Sequence, residues 1–169
     1  MKNVFVDGYN VINSWPELKK IKEYSFEAAR IKLIEMLQNY AAFKGDKIFI
    51  VFDAHMVKGS LEKRERLDNV IIVFTKEGET ADSFIEKYVN LIGRKAEVCV
   101  VTSDFLEQQV TFQRGATRMS SLEFYNEVIS TRRKINVKVR KDTSVNKNLL
   151  KDRVNEEVLD KLEKIRRGD

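Results

Sequence analysis

Four short apolar runs occupy the first hundred or so positions: NVFVD (3–7), KIFIVFD (47–53), NVIIVFT (69–75) and EVCVVTSD (97–104). A strand with one wet face alternates apolar and polar residues, so runs that are apolar throughout must be covered on both faces. Segments of helical period lie between and after them. SFEAARIKLIEMLQNYAAFKG (25–45) sets Ala28, Ile31, Leu33, Ile34, Leu37, Tyr40 and Ala41 near helical spacing, with Ser25 to cap its start and Gly45 to end it. TADSFIEKYVNLIG (80–93) has Thr80 as N-cap and Gly93 past its end. DFLEQQVTFQRG (104–115) reads as a short helix closed by Gly115, and SSLEFYNEVISTRRK (120–134) opens on a capping-box pair, Ser120 and Glu123. Strands alternating with helices predict an α/β fold with a mainly parallel central sheet.

The remaining segments complete the layout. A short fifth strand is expected near Arg118-Met119, and no helix is expected to begin directly after Asp7. Pro16, the single proline, marks a loop after the first strand. KDTSVNKN (141–148) is polar and turn-rich, and LLKDRVNEEVLDKLEKIRRG (149–168) then resumes a helical period. The expected organisation is one domain over 1–135 and a basic, partly helical C-terminal extension over 136–169.

Charge divides the chain in the same place. From Thr131 onward there are 13 Lys and Arg against 7 Asp and Glu, and before it 18 against 19, so a near-neutral body carries a basic extension. Such asymmetry points to a polyanionic partner, although a solvated helical tail has the same composition. No apolar run approaches the roughly 20 residues a membrane helix needs. The stretch before Asp7 is too short for a signal-peptide core, so a cytoplasmic protein is expected. The single cysteine, Cys99, excludes an internal disulfide and a Cys-rich zinc site, and reads as a small buried hydrophobe.

The acids carry the chemistry. In open α/β sheets ligands bind outside the carboxyl ends of the strands. Asp7, Asp53 and Asp104 end three of the four strands, and Asp82 opens the helix after the other, so all four are expected at one rim. Three have a plainer role available: Asp82 as a first-turn acid, Asp104 as a helix cap, Asp53 as a turn residue; Asp7 is the exception, because no helix is expected directly after it and Gly8 permits close backbone approach. Gathered together they would repel, and like carboxylates raise one another's pKa. A divalent cation offsets that charge, and hard oxygen ligands suit magnesium or manganese. Asn10 stands beside them, placed to hold a water or a phosphate oxygen. Other chemistries lack their parts. There is no phosphate-binding GxxxxGK[ST] loop, Tyr9 stands where an aspartyl phosphatase wants a second acid, and no lysine follows VVTSD as a receiver domain wants. The single histidine, His55, has no nucleophile elbow near it.

FVDGYNVI, VFDAH, GETADSFIEK (78–87) and VVTSD (100–104) together resemble the YacP-like branch of the NYN nucleases, in the PIN-like superfamily, over about residues 1–135. The resemblance implies a three-layer α/β/α PIN-like domain and metal-dependent endoribonuclease activity, in a branch similar to bacterial factors acting on mRNA engaged by the ribosome. Position by position it implies Asp7, Asp82 and Asp104 as catalytic metal acids with Asn10 as their polar neighbour, and leaves Asp53 at the second-strand position as a further metal candidate.

An acidic rim repels RNA, so cations must bring the backbone in. Lys58, Lys63, Arg64 and Arg66 follow a site strand directly and are the favoured phosphate contacts, with Arg114 and Arg118 on the other side. Tyr9 is placed either to stack a base or to pack under the first long helix. Two functions remain: an endoribonuclease using Mg2+ or Mn2+ on mRNA in association with the ribosome, and a catalytically silent RNA- or ribosome-binding adaptor whose acids are caps.

Overall fold

The structure, a computed structural model, describes residues 1–54, 59, 61–103 and 115–168; for the helical residues 148–157, 159, 160, 162 and 163 it describes the backbone alone. His55, Lys58, Asp104, Arg114 and nearly all of the expected 104–115 helix lie outside the described residues. The elements in chain order are β1 (Asn3–Asp7), α1 (Gly8–Ser14), α2 (Pro16–Lys22), α3 (Phe26–Lys44), β2 (Lys47–Phe52), β3 (Lys63–Leu67), β4 (Val70–Phe74), α4 (Ala81–Ile92), β5 (Val98–Val101), β6 (Thr117–Met119) and α5 (Ser121–Arg166). The chain divides into two compact units, Met1–Thr131 and Arg132–Asp169.

In the first unit the strands form one sheet of order β3-β4-β2-β1-β5-β6. All its pairings are parallel except β3 with β4. Apolar residues that alternate in direction along each strand fill both faces. Val4, Val6, Ile48, Ile50 and Ile72 pack with Leu18, Leu33, Leu37, Phe124 and Val128 from α2, α3 and the start of α5. Phe5, Val51, Val73 and Val100 pack with Phe84, Ile85 and Val89 of α4. The expected three-layer α/β/α arrangement is therefore present, and Cys99 is buried in it as expected.

Local signals placed the long helices well. Ser25 accepts the Ala28 N–H at 3.1 Å, Thr80 accepts the Ser83 N–H at 3.1 Å, and Gly45 ends α3 in the left-handed conformation. The Ser120–Glu123 capping box forms in both directions, at 2.7 and 3.2 Å. This pairing holds the Glu123 carboxyl below its ordinary pKa.

Four expectations are corrected. A helix does begin directly after Asp7: α1 starts at Gly8, and the Asp7 carboxylate caps it by accepting the Asn10 N–H at 3.2 Å. Pro16 is not a loop residue but opens α2, where a fixed φ and a missing N–H cost nothing. The segment carrying Lys63, Arg64 and Arg66, which is not among the expected strands, contains β3, whose ladder with β4 supplies its backbone partners. The turn-rich 141–148 segment continues α5 without a break. There Thr143 Oγ1 donates to the Val139 carbonyl and Ser144 Oγ to the Lys141 carbonyl, both at 2.8 Å, so these side chains bond along the helix rather than ending it.

Candidate active site

The parallel strands bring their carboxyl ends to one edge. Asp7 ends β1, Asp53 follows β2, and Asp82 lies in the first turn of α4, the helix after β4. Asp7 and Asp82 come within hydrogen-bonding reach of one another when Asp7 carries its proton. Burial is the main reason the Asp7 carboxyl is pushed up from 3.8 to about 6. Asp82 and then Asp53 add like-charge repulsion, and the Asn10 N–H opposes the shift.

Asp7 is held there by an unusually close approach. A Cβ on Gly8 would lie 2.3 Å from the Phe52 ring, which is fully buried. Only glycine lets the chain turn from β1 into α1 against that ring. The segments that carry Asp53 and Asp82 are joined through Thr75, which is buried just past β4. The Thr75 hydroxyl accepts the Ala54 N–H at 3.1 Å and donates to the Glu79 carbonyl at 2.7 Å. That single side chain ties the segment after β2 to the segment entering α4.

Asn10 anchors the other side of the edge. Its Oδ1 accepts the Ser103 N–H at 3.1 Å and the Ser121 hydroxyl at 2.5 Å. An amide oxygen has two lone pairs, so both are engaged in tying the end of β5 to the start of α5. Ser121 is itself fully buried, and its carbonyl accepts the Trp15 indole N–H at 2.7 Å. Thr75 and Ser121 escaped the sequence reading. Their signal, a hydroxyl residue just past an apolar run or at a helix start, is too common to single them out.

Tyr9 packs beneath α3. Its ring meets Phe26 and Phe52 edge-on, at 6.0 and 5.2 Å between centroids, and its hydroxyl accepts from Arg30 at 3.2 Å. The basic segment does not form one patch. β3 runs antiparallel, so Lys63 pairs with Phe74 at the site edge while Arg66 pairs with Ile71 farther in. The two-residue period also puts Lys63 and Arg64 on opposite faces. Arg64 is committed to protein: its guanidinium lies over the Phe84 and Tyr88 rings, hydrogen-bonds the Tyr88 hydroxyl, and pairs with Glu62 at 3.2 Å. Arg66 donates to the Asp68 carbonyl at 3.3 Å. Arg118 is exposed on β6.

Among the described residues no three His, Cys, Asp or Glu side chains gather closely enough to hold an ion by themselves. The Asp7–Asp82 pair still fits magnesium. That ion is commonly held by one or two carboxylates and takes its other ligands from water and substrate phosphates. A desolvated carboxylate facing a second carboxylate is an arrangement that a hard cation relieves.

A six-stranded, mostly parallel sheet with acids at its carboxyl edge defines an α/β domain of the PIN-like nuclease type. A family model described as the YacP-like NYN domain matches residues 4–167. YacP of Bacillus subtilis (strain 168) is 46% identical over 170 residues, covering 100% of this chain and 99% of that protein. The crystal structure of Rae1 (YacP) from Bacillus subtilis superposes with a TM-score of 0.75 at 45% identity, covering 100% of this chain and 97% of the other. A crystal structure of a mutant of that same protein gives 0.74 at 41% identity over 85% of each chain. The chain belongs to the YacP-like NYN domain family, a nuclease-type family.

Proposed function

We propose that this protein is a metal-dependent endoribonuclease that cleaves mRNA in association with the ribosome, in the cytoplasm. The observation that carries the reading is the Asp7–Asp82 pair, with a desolvated Asp7, at the carboxyl edge of a nuclease-family sheet. Asp7 and Asp82 would hold Mg2+ or Mn2+, with Asp104 and Asp53 as further candidate ligands. When bound, the ion offsets charge on the phosphodiester oxygens and activates water for hydrolysis. The protein's own part is positional. Gly8 and Phe52 fix Asp7, Thr75 fixes the Asp53 and Asp82 segments to each other, and Asn10 fixes the end of β5. Lys63 stands at the site edge as a candidate phosphate contact. No helix among the described residues is long and apolar enough to cross a membrane.

The test is cleavage of a defined mRNA by wild type and by Asp82→Asn, with Mg2+ or with EDTA, with and without ribosomes. Internal cleavage by wild type in Mg2+ is expected, lost in EDTA and in the variant. Full activity in EDTA would exclude the metal. A silent wild type that still binds RNA or ribosomes under every condition would make it an adaptor.

A further inference from the structure

The second unit concentrates its charge. Residues 132–147 contain seven Lys and Arg and one acid, Asp142, whereas 148–169 contain six of each. All of the basic charge excess of Arg132–Asp169 therefore lies in its first sixteen positions. Every side chain from Arg132 to Lys147 is exposed except Ile135, which is partly so. This segment lies within α5. At about 100° and 1.5 Å per residue, Lys134, Lys138 and Lys141 fall within about 60° of arc and about 10 Å of length. Together with Arg133 and Val137 they share one side of the helix surface.

Like charges three and four residues apart destabilise a helix, and Lys134/Lys138 and Lys138/Lys141 are such pairs. No ion pair among the described residues involves any of the three lysines. A row of ammonium groups with no ion pair among the described residues is matched by a polyanion. The successive lysines stand about 6 Å and about 4.5 Å apart along the axis, within reach of successive phosphates of an extended nucleic acid strand. An anionic membrane is the poorer match. Val137, Val139 and Val145 are exposed but spread around the axis, so they form no continuous apolar face to insert.

We propose that the Lys134–Lys138–Lys141 face of α5 binds the phosphate backbone of RNA, independently of base sequence. The proposal rests on the RNA-directed function above and names where that function's affinity lies.

The experiment uses the full chain with Lys134, Lys138 and Lys141 all changed to Gln, a residue of similar helix propensity. Binding of labelled poly(U) is followed by fluorescence anisotropy across a salt series in EDTA, and mRNA cleavage is measured separately in Mg2+. Each lost phosphate contact should flatten the slope of log K against log salt by about 0.7, so the triple variant should lose about 2. A control, Arg140→Gln/Lys147→Gln, removes charge from the other side of the helix and should leave the slope near that of wild type. An unmoved slope in the triple variant, while wild type binds and cleaves, would overturn this surface alone. Equal flattening per charge in the control would overturn the face assignment. Loss of phosphatidylserine-vesicle binding in the triple variant, with its RNA slope unmoved, would replace RNA by membrane. A wild type that binds RNA through these lysines but cleaves none supports the surface and overturns the nuclease reading. A wild type that neither binds nor cleaves RNA overturns both.

Discussion

Residues 1–131 and 132–169 obtain their secondary structure by different means. In the first unit every strand of the central four, β4-β2-β1-β5, has both neighbours and buried residues on both faces, and each long helix lays an apolar side on the sheet. In the second unit almost every described side chain is exposed, and helix persists through Lys-, Arg- and Asn-rich sequence. A helix that is polar all round draws little from burial and depends on its own backbone bonds and on partners. The difference separates what the two parts can do. A sheet edge buttressed from both sides can hold a carboxylate away from solvent, with its pKa raised above the ordinary value. An exposed helix can present charge over length without fixing any one group.

The largest expected effect lies at the buttressed edge. Asp7→Asn should reduce RNA cleavage to background, because the amide is a poor ligand for a hard cation. The same variant should be more stable than wild type in metal-free buffer. The folded Asp7 carboxyl has its pKa raised from 3.8 to about 6, so the folded state retains a proton that the unfolded chain releases. Its contribution is fully present below the ordinary carboxyl value and is lost as pH rises through about 6. At pH 8 the loss amounts to about 3 kcal/mol, which Asn avoids while still capping α1. Denaturant melts should show the gap between the two proteins closing as pH falls to about 4. A gap that does not depend on pH, or a less stable variant, would show Asp7 to be chiefly structural.

Next comes the approach that places Asp7. Gly8→Ala puts a methyl group into the Phe52 ring, and overpacking of this kind costs about 1–3 kcal/mol. Cleavage should fall along with the melting temperature, since the strain lies next to the ligand. Phe52→Leu in the Gly8→Ala background should recover part of both. No recovery would place the clash elsewhere.

A smaller loss is expected from Ser121→Ala. It deletes a buried hydroxyl from Asn10 Oδ1 but leaves the Ser103 N–H bond, so the cost should be about 1–2 kcal/mol. Ser121→Thr, which keeps the hydroxyl, should restore activity if its extra methyl is accommodated, whereas Asn10→Ala should lose more than Ser121→Ala because both bonds go.

The smallest effect is on exchange rather than activity. Amide hydrogens of β1, β2 and β5 should exchange only on global unfolding, and those of residues 132–147 by local opening of low free energy. Added salt should slow exchange in 132–147 by screening lysine repulsion and leave the strands unchanged. Equal protection in both regions would mean that the second unit is held by contacts comparable to a core.

Much of the fold is legible along the chain. The four apolar strands, α3, α4, the start of α5 and the short strand at Thr117–Met119 all sit where the pattern puts them, and so do the caps at Ser25, Thr80 and Ser120. The places where the reading fails have short-range causes. In VFVDGYNVI the turn-type residues Asp7 and Gly8 interrupt the apolar run where strand passes to helix, and α1 is only seven residues long, too short for a helical period to announce it. KRERL has no apolar alternation, and only pairing with β4 makes it a strand. KDTSVNKN lies inside α5 although its composition favours turns, with the Thr143 and Ser144 hydroxyls bonding back to carbonyls of the preceding turn.

What the sequence determined by itself is whatever depends on neighbours a few residues away: strand and helix identity, capping, the excess of basic charge after position 131, and the placement of Asp7, Asp53 and Asp82 at the ends of their elements. Tertiary structure decided the rest, because it depends on which distant residues meet. The order β3-β4-β2-β1-β5-β6 sets Asp7 in the middle of the edge, where burial and Asp82 raise its pKa. Asn10 reaches partners 93 and 111 residues away, and so becomes an anchor for the site edge. Three cations close in sequence, Lys63, Arg64 and Arg66, are divided between two faces of a strand, and α4 supplies the aromatic rings that hold Arg64. No local pattern encodes these outcomes, since a side chain's solvation and partners are fixed only when the sheet closes around it.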